Sequence, residues 1–414
     1  MKLLKNKLSA LPEEIKVIYS ESDEMPGYIG RRICLVFLLI IMIAFSVIAS
    51  FINKFYIDTT LAFIVMEIFF FIVFYIQMEV IRLKRGKFDL AARDYRSIFV
   101  VIAIGLSFCL VTPVIPALIR PFLVISLLLA VIEDFSFGIT VSSYMAINAY
   151  IINSDSSAAF LVASLMIIFA GSCFVWTLRD IAIRGIGTVF VFASAFVPSI
   201  FSLFVFDEQI NFLQVIYAVI NAAICAIISF IFVPFMERRI EDTRNIMLNK
   251  MVMPNFPLAV LMQKSSSGDY DHAKRVSDIC EVCAMMVGAD APVCKAAGLY
   301  YRIGKMDGEP HVENGVKIAG QFNFPEEVMQ ILREYNAEQE IPSSVESAIV
   351  HIVDCVTTKF DVLQGQATTG GWNREMIIYQ TLNEKSSMGI YDASGLGMNQ
   401  FLKIRDYLVR LGGK

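Results

Sequence analysis

Between residues 33 and 235 the chain is a succession of apolar runs with only a few polar residues between them. A bilayer core about 30 Å thick needs about 20 apolar residues per helix. Eight stretches approach that length: 33–52, 60–81, 97–118, 121–134, 135–152, 158–178, 186–206 and 212–235. The composition fits: 56% of residues are hydrophobic and 18% charged, where a soluble domain carries about 25% charged. These features exclude a secreted, fibrous or disordered protein and predict a polytopic α-helical membrane bundle of eight spans.

The fourth and fifth runs form one stretch divided only by Glu133 and Asp134. Such groups are costly in lipid unless they sit at an interface or in a bundle interior. Orientation follows from the basic residues. The connector 82–96 carries Arg82, Lys84, Arg85, Lys87, Arg93 and Arg96, which the positive-inside rule places in the cytoplasm. With eight crossings the amino terminus (Lys2, Lys5, Lys7, Arg31, Arg32), the loop 179–184 and the tail from Glu237 then also lie inside. The turns around Lys54, Asn153 and 207–211 lie outside, and they are too short to build a separate ligand-binding domain there. The first thirty residues are polar and lack the apolar centre of a cleaved signal peptide, so the first run is expected to stay as an anchor.

A net charge of −4 argues against a DNA or RNA binder, which would need a basic domain. Of the 8 cysteines, Cys34, Cys109, Cys173 and Cys225 fall within apolar runs and the others in the cytoplasmic part, so free thiols are expected. Glu67 lies inside the second span. It marks an ion or ligand path, or it is a carboxylate facing the bundle interior with a hydrogen-bonding neighbour such as Asn148 or Asn221.

After Phe235 the composition changes, with Glu237, Arg238, Arg239, Glu241, Asp242 and Arg244 in quick succession. A helical stalk is expected to about Asn249, ended by Pro254 and Pro257. Beyond it, Val276, Ile279, Cys280, Cys283, Met286 and Val287 recur at helical spacing, and no alternating run argues for a sheet. The expected organisation is a cytoplasmic segment 1–32, a transmembrane domain 33–235, a stalk 236–257 and an all-α cytoplasmic domain 258–414. Cys280 and Cys283 have a metal-like spacing, but both fall on the buried face of their helix and no second such pair exists, so they are expected to be core thiols. The 3 histidines, His272, His311 and His351, all lie in this last domain. His351 is expected on a helix surface with no role.

Tyr300-Tyr301-Arg302-Ile303-Gly304-Lys305 resembles the Tyr-His-Asp-Ile-Gly-Lys signature of HD-domain phosphohydrolases, with the His-Asp pair replaced. The flanks resemble the membrane-bound branch, the seven-transmembrane receptor HD family, which includes bacterial cyclic-di-AMP phosphodiesterases. Pro234-Phe235-Met236-Glu237 is similar to its exit from the last span, and Pro254-Asn255-Phe256-Pro257-Leu258 to its Pro-Asn-His-Pro-Leu. Gly268-Asp269-Tyr270-Asp271-His272, the stretch 342–354 and the stretch 389–396 match further segments in order. Arg120-Pro121 is similar to the family's Arg-Pro before a middle span. The family's large extracellular domain is here cut to a turn around 54–58.

The resemblance implies an HD-like cytoplasmic domain and a phosphodiester hydrolysed with two metal ions, manganese or iron, bridged by the aspartate of the His-Asp pair. It assigns His272, His311 and Asp354 to retained ligand positions, and Tyr301, Arg302, Tyr335 and Asn336 to positions where ligands are lost. Arginine offers five donors and no usable lone pair. At the bridging position Arg302 therefore removes a ligand and places a fixed positive charge where dications would lie. No metal cofactor and no catalytic residue are expected, and Arg302 is expected to pair with Asp354. Arg302, Lys305 and Arg275 are candidate phosphate contacts.

Three functions remain open at this point. One is a membrane-anchored signalling or regulatory pseudoenzyme that binds a cyclic dinucleotide or a cytoplasmic signalling protein. Another is an active phosphodiesterase with an atypical metal site. The third is a transporter or channel with an HD-like regulatory tail, its route lined by Glu67, Glu133 and Asp134.

Overall fold

The computed structural model describes residues 28–84, 95–153, 157–205, 211–365 and 374–412. The amino-terminal lysines, the basic residues of the connector from Arg85 to Arg93 and most of the turn 207–211 lie outside the described residues. Every regular element among the described residues is helical. They fall into two compact units that meet between Thr243 and Arg244.

The apolar unit contains α1 (Tyr28–Ile52), α2 (Ile57–Lys84), α3 (Tyr95–Val111), α4 (Phe122–Ile132), α5 (Phe135–Ile152), α6 (Ala158–Ser172), α7 (Val175–Arg179), α8 (Arg184–Val205) and the first part of α9 (Phe212–Val252). Among the described residues six helices are long and apolar enough to cross a membrane, and these are α1, α2, α3, α5, α8 and α9. Val36, Phe37, Ile40, Val65, Phe69, Val189 and Phe190 lie exposed along α1, α2 and α8. A water-soluble fold hides such side chains; a bilayer accepts them.

The fourth and sixth expected spans are shorter than a crossing. α4 has 11 residues and α6 has 15. Pro121 precedes α4, and Glu133 ends it. Asp134 then starts α5, its carboxylate accepting from the Ser136 backbone N–H at 3.1 Å and the Ser136 hydroxyl at 2.7 Å. α6 ends at Ser172, and the short helix α7 completes the stretch. α4 is apolar all round and buried on every side, from Phe122 and Leu123 to Val131 and Ile132, as an interior helix must be. Gly138 lets α5 approach it: a Cβ there would stand 2.4 Å from the Ser126 carbonyl oxygen. The Ser126 and Ser172 hydroxyls bond at 2.7 Å and tie α4 to α6.

Glu67 is fully buried; its carboxylate accepts from the Tyr144 hydroxyl, and of the two expected asparagines Asn148 is the one that stands beside it. Because Asp134 caps α5 and Tyr144 lies ten residues along the same helix, about 15 Å, Glu67 and the Glu133–Asp134 pair occupy different levels of the bundle.

The second unit begins with the last residues of α9, the helix that holds both the final expected span and the stalk and has Pro234 within it. It continues through α10 (Pro257–Ser265), α11 (Ser267–Val287), α12 (Ala291–Tyr300), α13 (His311–Gln321), α14 (Glu326–Glu334), α15 (Val345–Gly365), α16 (Arg374–Ser387) and α17 (Met398–Gly412). Pro257 stands in the first turn of α10. Ser266 caps α11, accepting from the Asp269 N–H at 3.2 Å, and Gly288 with φ 75° ends it. Cys280 and Cys283 are wholly buried in the core between these helices. Tyr300, also buried, donates its hydroxyl to the Met251 carbonyl at 2.6 Å and fixes the end of α9.

His351 is a correction to the surface placement. It is 2% exposed, and its Nδ1 lies 3.0 Å from the Tyr391 hydroxyl. Ala348, Ile349, Val350, Ile352 and Val353 around it are all buried, so this stretch of α15 has no water-facing side to receive it.

Candidate functional site

Two helices and the end of a third carry the site. α11 contributes His272 and Arg275, one turn apart; the end of α12 contributes Tyr301 and Arg302; α15 contributes Asp354, Thr358 and Asp361 at spacings of four and three. That spacing puts the three α15 side chains on one face. Gly304 holds the segment after Arg302 in place, because a Cβ there would lie 1.7 Å from the His311 carbonyl oxygen. No other residue allows the short helix Ile303–Asp307 to lie so close to α13.

Asp354 is the centre. Its Oδ1 accepts from Arg302 Nη2 at 2.6 Å, from the Tyr301 hydroxyl at 2.7 Å and from the Thr358 hydroxyl at 2.9 Å. Arg302 Nη2 also donates to the Thr358 oxygen at 2.6 Å, and the guanidinium carbon stands 5.1 Å from the Tyr301 ring centre. Both nitrogens of His272 are engaged: Nδ1 with Asp361 at 2.5 Å, Nε2 with the Tyr301 hydroxyl at 2.9 Å. Asp361 in turn accepts from Arg275 Nη2 at 2.8 and 2.9 Å. The result is one chain of donors and acceptors from Arg275 to Arg302.

The charges follow the contacts. Burial alone would push the Asp354 carboxyl up, but His272, the Arg302 charge and the bonds from Tyr301 and Thr358 outweigh it and hold it below the usual aspartate range. Burial works against the Arg302 guanidinium too, and pairing with Asp354 raises it above its ordinary value. Burial and then the Asp354 carboxylate push the Tyr301 hydroxyl up, so it stays a donor.

Tyr335 packs its ring edgewise on Tyr301, with centres 5.2 Å apart. Asn336 faces away into its own turn, accepting from the Glu338 N–H at 3.2 Å. His311 makes its contacts with the Gly308 carbonyl at 3.0 Å and with Glu309. It is not bonded to His272 or Asp354. Of the candidate phosphate contacts, Arg302 is spent on Asp354, Arg275 on Asp361, and Lys305 stands 3.9 Å from Asp269 with both partly exposed. Asp361 and Thr358 are site residues that the motif did not name; counting along the helix from Asp354 in steps of four and three finds them.

The donor chemistry does not suit a dication. Among the described residues no group of three His, Cys, Asp or Glu side chains could hold a metal ion. Neither His272 nitrogen presents a free lone pair, and any ion on Asp354 would meet the Arg302 guanidinium within a few ångströms.

No family model matches the chain. Ribonuclease Y of Finegoldia magna is 32% identical over 90 residues, which cover 21% of this chain and 17% of that protein. The chain thus spans under a fifth of that relative. Among solved structures, the HD domain of the L. monocytogenes phosphodiesterase PgpH in complex with cyclic-di-AMP aligns with a TM-score of 0.34 and 18% identity, over 38% of this chain and 96% of that one. The same domain in a second structure gives 0.33 and 18%, over 40% and 97%. At those scores the question of activity rests on the site's own residues.

Proposed function

We propose that this protein is a membrane-anchored signalling or regulatory protein whose tail is an HD-like domain that has exchanged its metal centre for an ion pair and does not hydrolyse a phosphodiester. The observation that supports this is Arg302 on Asp354 at 2.6 Å, with Tyr301 and Thr358 on the same oxygen. A guanidinium here supplies the positive charge that a metal would otherwise bring, and it needs no cofactor to be present. In this reading the protein sits in a bacterial cell membrane with both termini in the cytoplasm. A cyclic dinucleotide is its proposed ligand, since Arg275 and Lys305 are partly exposed and each could exchange a carboxylate for a phosphate.

The test is the metal content of the full chain purified in detergent, beside the double variant Tyr301→His/Arg302→Asp. The native protein is expected to carry no stoichiometric manganese or iron, and the double variant to gain at least one ion per chain. Stoichiometric metal in the native protein would overturn the reading.

A further inference from the structure

A second polar cluster lies within the apolar unit, apart from the HD-like site. Glu67 of α2 is fully buried; one carboxylate oxygen accepts from the Tyr144 hydroxyl of α5, and the other, Oε1, has no partner. Asn148, one turn beyond Tyr144 on α5, is also fully buried and adjoins both groups. Its amide stands beside the Glu67 carboxylate and the Tyr144 hydroxyl and weighs on both, without a well-aligned hydrogen bond to either. A buried polar atom costs about 1–3 kcal/mol if nothing meets it. Phe70 and Phe74 pack on the Tyr144 ring at 4.8 and 5.2 Å and close the cluster on one side.

No cationic side chain among the described residues pairs with Glu67. Cys109 on α3 is the other titratable group facing it. Arg120 acts on Cys109 only electrostatically; its Nη2 donates to the carbonyls of Thr112 at 3.2 Å and Ile115 at 3.4 Å, and its buried Nε has no partner. The cluster thus offers three oxygens, Glu67 Oε1, Asn148 Oδ1 and Tyr144 Oη, and one negative charge. Hard oxygen ligands suit alkali and alkaline-earth ions. A dication would leave an uncompensated positive charge buried among phenylalanines, whereas a single monovalent ion balances the carboxylate. Towards the end of α5, Asn153 donates to Thr112 at 3.0 Å.

We infer that Glu67, Asn148 and Tyr144 form a binding site for one alkali cation, sodium or potassium, inside the membrane unit. The test is thermal unfolding of the full chain in detergent at pH 8, titrated with NaCl, KCl or choline chloride at constant ionic strength. The melting temperature is expected to rise and saturate with sodium or potassium but not with choline. Glu67→Gln, which keeps the size and the Tyr144 bond, should abolish the saturable rise. Tyr144→Phe, which keeps the ring, should raise the half-saturating concentration about tenfold, equivalent to one lost ligand of about 1.4 kcal/mol. Three results would overturn the inference: indistinguishable curves for all three salts, a full response retained in Glu67→Gln or Tyr144→Phe, or stability that follows pH alone.

Discussion

Arg302 and Asp354 bury most of their charged ends together, with side chains 15% and 13% exposed. Removing one partner of such a pair costs more than replacing both, because the survivor stays buried without compensation. Arg302→Ala is therefore expected to destabilise the protein by about 3 kcal/mol, and Arg302→Met/Asp354→Leu by clearly less, as read from denaturant unfolding of the full chain. Equal losses would contradict the pair's role. His351 gives a pH signature. Burial, with Lys385 nearby, lowers its imidazole from 6.5 to about 4. The unfolded chain therefore takes up this proton first on acidification, so the contribution is complete above pH 6.5 and is lost as pH falls towards 4. The gap corresponds to about 3 kcal/mol. Asp354, whose folded value is depressed, adds its loss only below the ordinary aspartate value of about 3.9. His351→Gln should flatten the stability curve between pH 6.5 and 4 and leave the steeper acid limb. At this scale the resemblance named Tyr301 and Arg302 from one motif and His272 and Asp354 from two further segments, and the structure brings the four together. Asp361 and Thr358 belong to no motif, and only counting along the helix from Asp354 finds them. His351 escaped because burial of a whole helix cannot be read from a histidine alone.

Elements were legible from length and chemistry where solvent or lipid decides, and not where packing does. The runs that became α1, α2, α3, α5, α8 and α9 carry enough apolar length for a crossing, and the Glu133–Asp134 break falls where those residues put it. Apolar length does not separate a crossing helix from an interior one, however, and α4 is interior. Its fit against α5 rests on Gly138, where a Cβ would strike the Ser126 carbonyl and stand 2.9 Å from the Ala130 nitrogen. Gly138→Leu is expected to lower the melting temperature in detergent strongly or prevent accumulation, while Gly185→Leu, where a Cβ meets nothing within 4 Å, leaves both unchanged. In the tail, Gly304→Ala meets backbone atoms of His311 and Gly315, which cannot move aside as a side chain can. A loss of about 3 kcal/mol is expected, checked by the same unfolding measurement.

On the scale of the whole molecule, the chain joins an apolar helical unit to a second unit with its own core, built around Tyr300, Tyr301 and the buried faces of α11, α12 and α15. The composition changes after Phe235, whereas the units part between Thr243 and Arg244, within α9, which runs through both without interruption. What the tail does turns on whether its centre holds metal or arginine. The most direct measurement is turnover of cyclic-di-AMP by the full-length protein in detergent, under anaerobic conditions with added manganese, beside Tyr301→His/Arg302→Asp. The account predicts no linear product above background from the native protein, even over many hours. Sustained, manganese-dependent turnover by the native chain would contradict it.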